Sequence, residues 1–138
     1  MSYAGDIDPQ RAWEILRDNP DAVLVDVRTE AEWRFVGVPD TSALDRPTVL
    51  VEWVDGTGAP NHRFLDQLNE ALDGRKPDAP VLFLCRSGQR SAHAAAAATA
   101  AGIEPAYNVS DGFEGPLDEH GHRGHAGWRA LGLPWRQS

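Results

Sequence analysis

The sequence predicts an α/β domain built on a mostly parallel sheet. Two observations carry this. Strand-length runs at 22–27, 47–54, 81–84 and 106–109 alternate with segments of helical periodicity. The runs are nearly all apolar rather than alternating, as strands buried on both faces of a parallel sheet should be. The length of 138 residues fits one domain spanning 1–138 and suffices for one hydrophobic core.

Each element has a local reason. Asp8 offers a helix cap, Pro9 suits the first helical position, and Asn19-Pro20 ends the stripe of Ala12, Ile15 and Leu16. A strand follows over 22–27. Thr29 and Glu32 have capping-box spacing for a short helix through Trp33. The second strand is expected over 47–54 and a loop over 55–60. Asn61 can cap a helix to Leu72, with Phe64, Leu65, Leu68 and Leu72 on one face, ended by Gly74 and Pro77. The third strand, 81–84, runs straight into Cys85. An Ala-rich helix is expected over 89–101, stopped by Gly102, and a fourth strand over 106–109. The Gly- and His-rich remainder carries a short helix at 128–131.

Thirteen Lys and Arg against 21 Asp and Glu give a net charge of −8. Such an acidic balance argues against nucleic acid and anionic membrane as partners, because both require a basic footprint. One cysteine excludes an intrachain disulfide and a Cys-rich zinc site. The first residues show no basic stretch followed by an apolar one, and no run of about 18 apolar residues occurs. A cytoplasmic location is the expectation.

The chemistry concentrates at Cys85-Arg86-Ser87-Gly88-Gln89-Arg90-Ser91. A lone cysteine after a strand is commonly just a small buried hydrophobe. Here a buried strand delivers it to a short loop that opens a helix. The loop amides and the unpaired first N–H groups of the helix favour an anion, and Arg86 and Arg90 add two full charges. Each of these favours thiolate over thiol. The same cradle would hold an incoming anion, and Gly88 permits the tight turn. Ser87 and Ser91 can donate hydroxyls to that anion, or Ser91 can bond within the helix. Asp26 and Arg28, at the end of the 22–27 strand, can orient the loop by a salt bridge or cap local backbone.

These residues resemble the active-site loop of the rhodanese-like sulfurtransferases, single-domain type. Asp26-Val-Arg-Thr-Glu-Ala-Glu-Trp33, Tyr107-Asn-Val-Ser-Asp-Gly112 and Gly127-Trp-Arg-Ala-Leu-Gly-Leu-Pro-Trp135 are similar to further motifs of that family, in the same order, over roughly 6–135. The resemblance implies a central sheet of about five strands flanked by helices on both faces. It implies that Cys85 takes the outer sulfur of an anionic, thiosulfate-like donor as a persulfide, which a thiol, cyanide or protein acceptor then removes. Arg86, Ser87, Gly88, Gln89, Arg90 and Ser91 would bind the donor, with no metal or organic cofactor. Phosphatases and arsenate reductases of related fold carry a loop one residue longer, since phosphate needs a wider cradle. The four residues between Cys85 and Arg90 therefore favour sulfur. A non-catalytic sulfur carrier or binding module is the other alternative.

The chain departs from the family twice. The turn after the Asp26 strand, 35–41, lacks the family's histidine. A His- and Gly-rich insert at 113–127 replaces a short turn and could form a flap or a partner surface. His120, His122 and His125, near Asp118 and Glu119, have spacing compatible with zinc or copper. The interleaved glycines favour a polar, water-facing loop, because ordering it is costly, and no metal is assigned. Contact of His122 or Arg123 with the donor is the third reading.

Overall fold

The computed structural model describes residues 2–137. The chain enters with a short strand, β1 (Gly5–Ile7). Asp8 accepts the Arg11 amide at 2.7 Å and Pro9 takes the first position of helix α1 (Pro9–Asp18). Strand β2 (Val23–Asp26) follows. The Thr29–Glu32 capping box is formed in both directions and starts α2 (Glu30–Phe35). After β3 (Val38–Pro39), a 3₁₀ turn (Ser42–Leu44) and β4 (Val49–Leu50) comes α3 (Phe64–Ala71). Then β5 (Val81–Leu84), α4 (Gln89–Ala100), β6 (Ala106–Val109) and β7 (Trp135–Arg136) complete the chain.

The main sheet has the order β1-β6-β5-β2-β4, and every pairing in it is parallel. Asp26 lies opposite Leu84, and Phe83 opposite Asn108. The strand ends carrying Asp26, Cys85 and Asn108 therefore come to one edge, where ligands of open α/β sheets bind. Strand alternation sends Val25, Val81 and Phe83 to one face, against Phe64 and Leu68 of α3 and Ala94, Ala95 and Ala98 of α4. Leu24, Leu82 and Leu84 face Ala12 and Leu16 of α1, together with Phe113 and Trp128 from the C-terminal segment. The predicted five-stranded sheet with helices on both faces is the observed architecture. Among the described residues, no helix is long and apolar enough to cross a membrane.

Four local expectations need correction. Strand β1 carries no apolar run, yet it pairs with β6 as an edge strand through its backbone. The expected strand 47–54 reduces to β4. Val51 and Trp53 still donate to the Asp26 and Val27 carbonyls, but the Val54–Pro60 bridge and the Asn61 side chain on the Glu52 carbonyl bend the chain away. Helix α3 starts at Phe64 with Arg63, not Asn61, in the cap position, and Leu65 is 36% exposed, off the buried face of Phe64, Leu68 and Leu72. Residues 128–131 form turns: a four-residue segment between two glycines cannot offset the cost of helix nucleation. Of the tryptophans, Trp128 is fully buried with Trp13 edge-on against it, and Trp53 packs edge-on against Phe64 in the core rather than lining a site.

Candidate active site

Cys85 leaves β5 with its carbonyl fixed by the Phe113 amide at 2.8 Å. The residue is 1% exposed. Its Sγ accepts the Gly88 N–H at 3.1 Å and stands 3.2 Å from Ser91 Oγ. The loop therefore curls back over the sulfur. Gly88 makes this possible with φ of 105°, and a Cβ there would sit 2.2 Å from the Ser110 carbonyl oxygen. Among the described residues, the amides of Arg86, Ser87, Gln89, Arg90 and Ser91 donate to no protein acceptor. Five donors without partners at a helix start suit a negatively charged group on the sulfur.

The two arginines differ. Arg86 is exposed and its side chain has no hydrogen-bond partner among the described residues, while the Glu114 and Gly115 amides hold its carbonyl. Arg90 grips both oxygens of Glu32, at 2.6 and 2.9 Å. Of the two arginines expected to draw in an anion, Arg86 is free to do so, while Arg90 also clamps α4 to α2 through Glu32. Its pKa is raised by the Glu32 hydrogen bonds, against burial, with help from the Glu32 and Cys85 charges.

Burial alone would push the Glu32 carboxyl up. The Arg90 hydrogen bonds and charge, the Thr29 amide and the Arg28 charge together outweigh it and hold the carboxyl below its ordinary range. A carboxylate lowered in the folded chain contributes full stability above the ordinary glutamate value of about 4.3 and loses it as pH falls through the lowered value. Glu32→Gln is therefore expected to cost about 1–2 kcal/mol at neutral pH, the scale of a charge-assisted, part-buried pair. Thermal melts across pH check this: the gap to wild type should shrink as pH drops below about 4.

Asp26 and Arg28 are both fully buried and bonded to each other. The Arg28 Nη2 also donates to the Gly37 carbonyl at 2.7 Å, and the guanidinium lies 4.3 Å from the centre of the Phe113 ring. Because the Phe113 amide holds the Cys85 carbonyl, this pair steadies the loop without entering it. Ser87 and Gln89 line a cleft of about 400 Å³ with Tyr3, Asp6, Gly88 and Asn108. Ser91 is fully buried, its hydroxyl lying between Cys85 Sγ and Asn108 Oδ1 rather than on a carbonyl of its own helix.

Asn108 was not singled out by the sequence reading. A polar residue inside the apolar run 106–109, on the strand beside the one ending in Cys85, was the signal that could have found it. The insert 113–127 closes on itself, with the Gly124 amide on the Glu114 carbonyl and Arg123 on the Gly115 carbonyl. Asp118 takes the amides of His120 and His122 in a local turn. Among the described residues no three His, Cys, Asp or Glu side chains converge in a metal-holding group.

A parallel sheet that delivers Cys85 to a short loop at a helix start is the arrangement expected of the rhodanese-like class. The chain belongs to that family: the model of the STR4 middle domain matches residues 5–138. Rhodanese-like domain-containing protein 4, chloroplastic, of Arabidopsis thaliana is 28% identical over 91% of this chain, which spans 24% of that protein. The uncharacterized protein RC0915 of Rickettsia conorii is 36% identical over 91% of this chain and 92% of its own length. Among solved structures, Rv0390 from M. tuberculosis is 65% identical with a TM-score of 0.91, covering 99% of this chain and all of its own. The polysulfide-sulfur transferase homodimer of Wolinella succinogenes is 25% identical with a TM-score of 0.61, over 96% of this chain and 78% of its own.

Proposed function

We propose that this protein is a sulfurtransferase that carries sulfane sulfur on Cys85. The observation that bears most weight is the Cys85 sulfur wrapped by its own loop, with the Gly88 amide on Sγ and five further amides without protein acceptors. The Cys85 thiolate attacks the outer sulfur of an anionic donor such as thiosulfate or a polysulfide chain. The Sγ–sulfur bond forms as the donor's sulfur–sulfur bond breaks, and the bonding pair departs with sulfite or the shortened polysulfide. The persulfide's terminal sulfur keeps the negative charge, and the free amides are the groups that can stabilise it. A nucleophilic acceptor, such as cyanide, a thiol or a protein, then takes the outer sulfur and returns the electron pair to Sγ.

Exposed Arg86 draws in the anionic donor; it cannot supply protons, because a guanidinium stays charged. The polysulfide donor is supported by the Wolinella succinogenes neighbour. A cytoplasmic setting is part of the proposal, since a reducing compartment keeps a lone thiol free. Intact mass after thiosulfate, then after cyanide, tests the cycle beside Cys85→Ser. The expected result is one added sulfur atom, lost on cyanide and absent in the variant. No added sulfur from thiosulfate or polysulfide, with Cys85 still open to alkylation, overturns it.

A further inference from the structure

We infer that Asn108 withholds the Ser91 hydroxyl proton from Cys85, making Asn108 a positioning residue that sets how readily the Cys85 thiolate forms. This rests on the reading of Cys85 as the sulfur-carrying nucleophile.

The argument starts from donors and acceptors. Asn108, 4% exposed, donates from Nδ2 to an Asp6 carboxylate oxygen at 2.9 Å and to the Gly88 carbonyl at 3.1 Å. Both partners can only accept, so the amide orientation is fixed and Oδ1 must face Ser91. Ser91 Oγ lies 2.6 Å from that oxygen, which has no proton to offer. Ser91 therefore donates its one proton to Asn108. What remains on Oγ to face Sγ at 3.2 Å is a lone pair.

A lone pair suits two states of the sulfur and opposes a third. A thiol can donate its S–H to Oγ. The inner sulfur of a persulfide carries no full charge and is little affected. A thiolate is repelled unless Ser91 turns its proton away from Asn108. The thiolate is left with the Gly88 amide as its one hydrogen-bond donor, less stabilised and more nucleophilic, and sulfur uptake relieves the repulsion. The charged groups around the site are Arg86 and Arg90 from loop and helix, Glu32 of α2 on Arg90, Asp26 and Arg28 from the end of β2, Asp6 behind Asn108, and Glu114 with its partner Arg129 over the loop. None is replaced in the variants below, and Asp6, which loses the Asn108 amide, keeps the Tyr3 hydroxyl.

The test is the pH profile of Cys85 alkylation by iodoacetamide on the full chain, read by intact mass. In Asn108→Ala, and in the larger Asn108→Leu, the freed proton turns to the thiolate. The profile should move to lower pH, raising the rate about three- to tenfold on its acid limb, the worth of one redirected hydrogen bond. In a Ser91→Ala background the same substitution should no longer move the profile. Ser91→Ala alone should leave its position unchanged or lower. A loosened loop would instead weaken the Gly88 amide's bond to the thiolate and move the profile to higher pH, opposite to the expected direction. An unmoved or raised profile in folded Asn108 variants overturns the inference. So does an undiminished shift without the Ser91 hydroxyl, or a move of the Ser91→Ala profile to higher pH. If both Asn108 variants fail to fold, the last result decides. Thiosulfate loading of the wild type is scored separately: a lowered alkylation profile with no sulfur uptake sinks the sulfurtransferase reading and leaves the hydrogen-bond assignment intact.

Discussion

Arg28→Met is expected to lose about 3–5 kcal/mol of stability, because it leaves the fully buried Asp26 carboxylate without its counter-charge. For a domain whose whole stability is about 5–15 kcal/mol, that is a large share. A melt should register a fall of roughly 10–20 °C. The Arg28 Nε and Nη2 reach both Asp26 oxygens at 2.7–3.1 Å, Nη2 also reaches the Gly37 carbonyl, and the plane of the group covers Phe113. Lysine cannot reproduce that fork, so Arg28→Lys should recover little. Replacing both partners, as in Asp26→Leu with Arg28→Met, should recover most of the loss, because no buried charge then stands alone. A double variant as unstable as the single one would show that the pair's worth lies elsewhere.

Gly88→Ala should remove sulfur loading and about 2–4 kcal/mol of stability together. The new methyl would press on the backbone of Ser110, at 2.2 Å from its oxygen and 2.9 Å from its carbonyl carbon, where no flexible side chain can yield. The left-handed φ adds a cost of about 1–2 kcal/mol for any residue with a Cβ. The loop must move, and the Gly88 amide moves with it, away from Sγ. Gly74→Ala is the control. It has a comparable φ of 82° with nothing within 4 Å, so it should show the conformational cost alone and normal sulfur uptake. Normal loading by a folded Gly88→Ala would mean that this amide is dispensable.

The parts of the fold legible in the sequence were those whose causes are local. Asp8, Thr29 and Glu32 act within one helical turn, and the runs ending in Leu84 and Val109 announce buried strands by composition alone. The loop at Cys85 was legible for the same reason, since six consecutive residues hold its chemistry. What escaped the reading depends on partners distant in sequence. Nothing near Arg90 in the sequence signals that its side chain is held by Glu32, 58 positions away. Asn108 matters only because folding sets it between Asp6 and Ser91, 102 and 17 positions away. Strands of two or three residues such as β1, β3 and β7 exist through backbone pairing that no side-chain pattern advertises.

The carbonyls of Cys85 and Arg86 are secured by the amides of Phe113, Glu114 and Gly115, main-chain atoms at the root of the His-rich insert. That arrangement separates two kinds of evolutionary freedom. The root is answerable to the nucleophile, and its two glycines, at 115 and 127, sit too close to neighbouring backbone to accept a side chain. Between them, Arg123 and Gly124 tie back to the Gly115 and Glu114 carbonyls, while the exposed His120, His122 and His125 make no hydrogen bond to the loop of Cys85. The surface carrying those histidines is therefore free to change its chemistry without disturbing the backbone that holds the loop of Cys85.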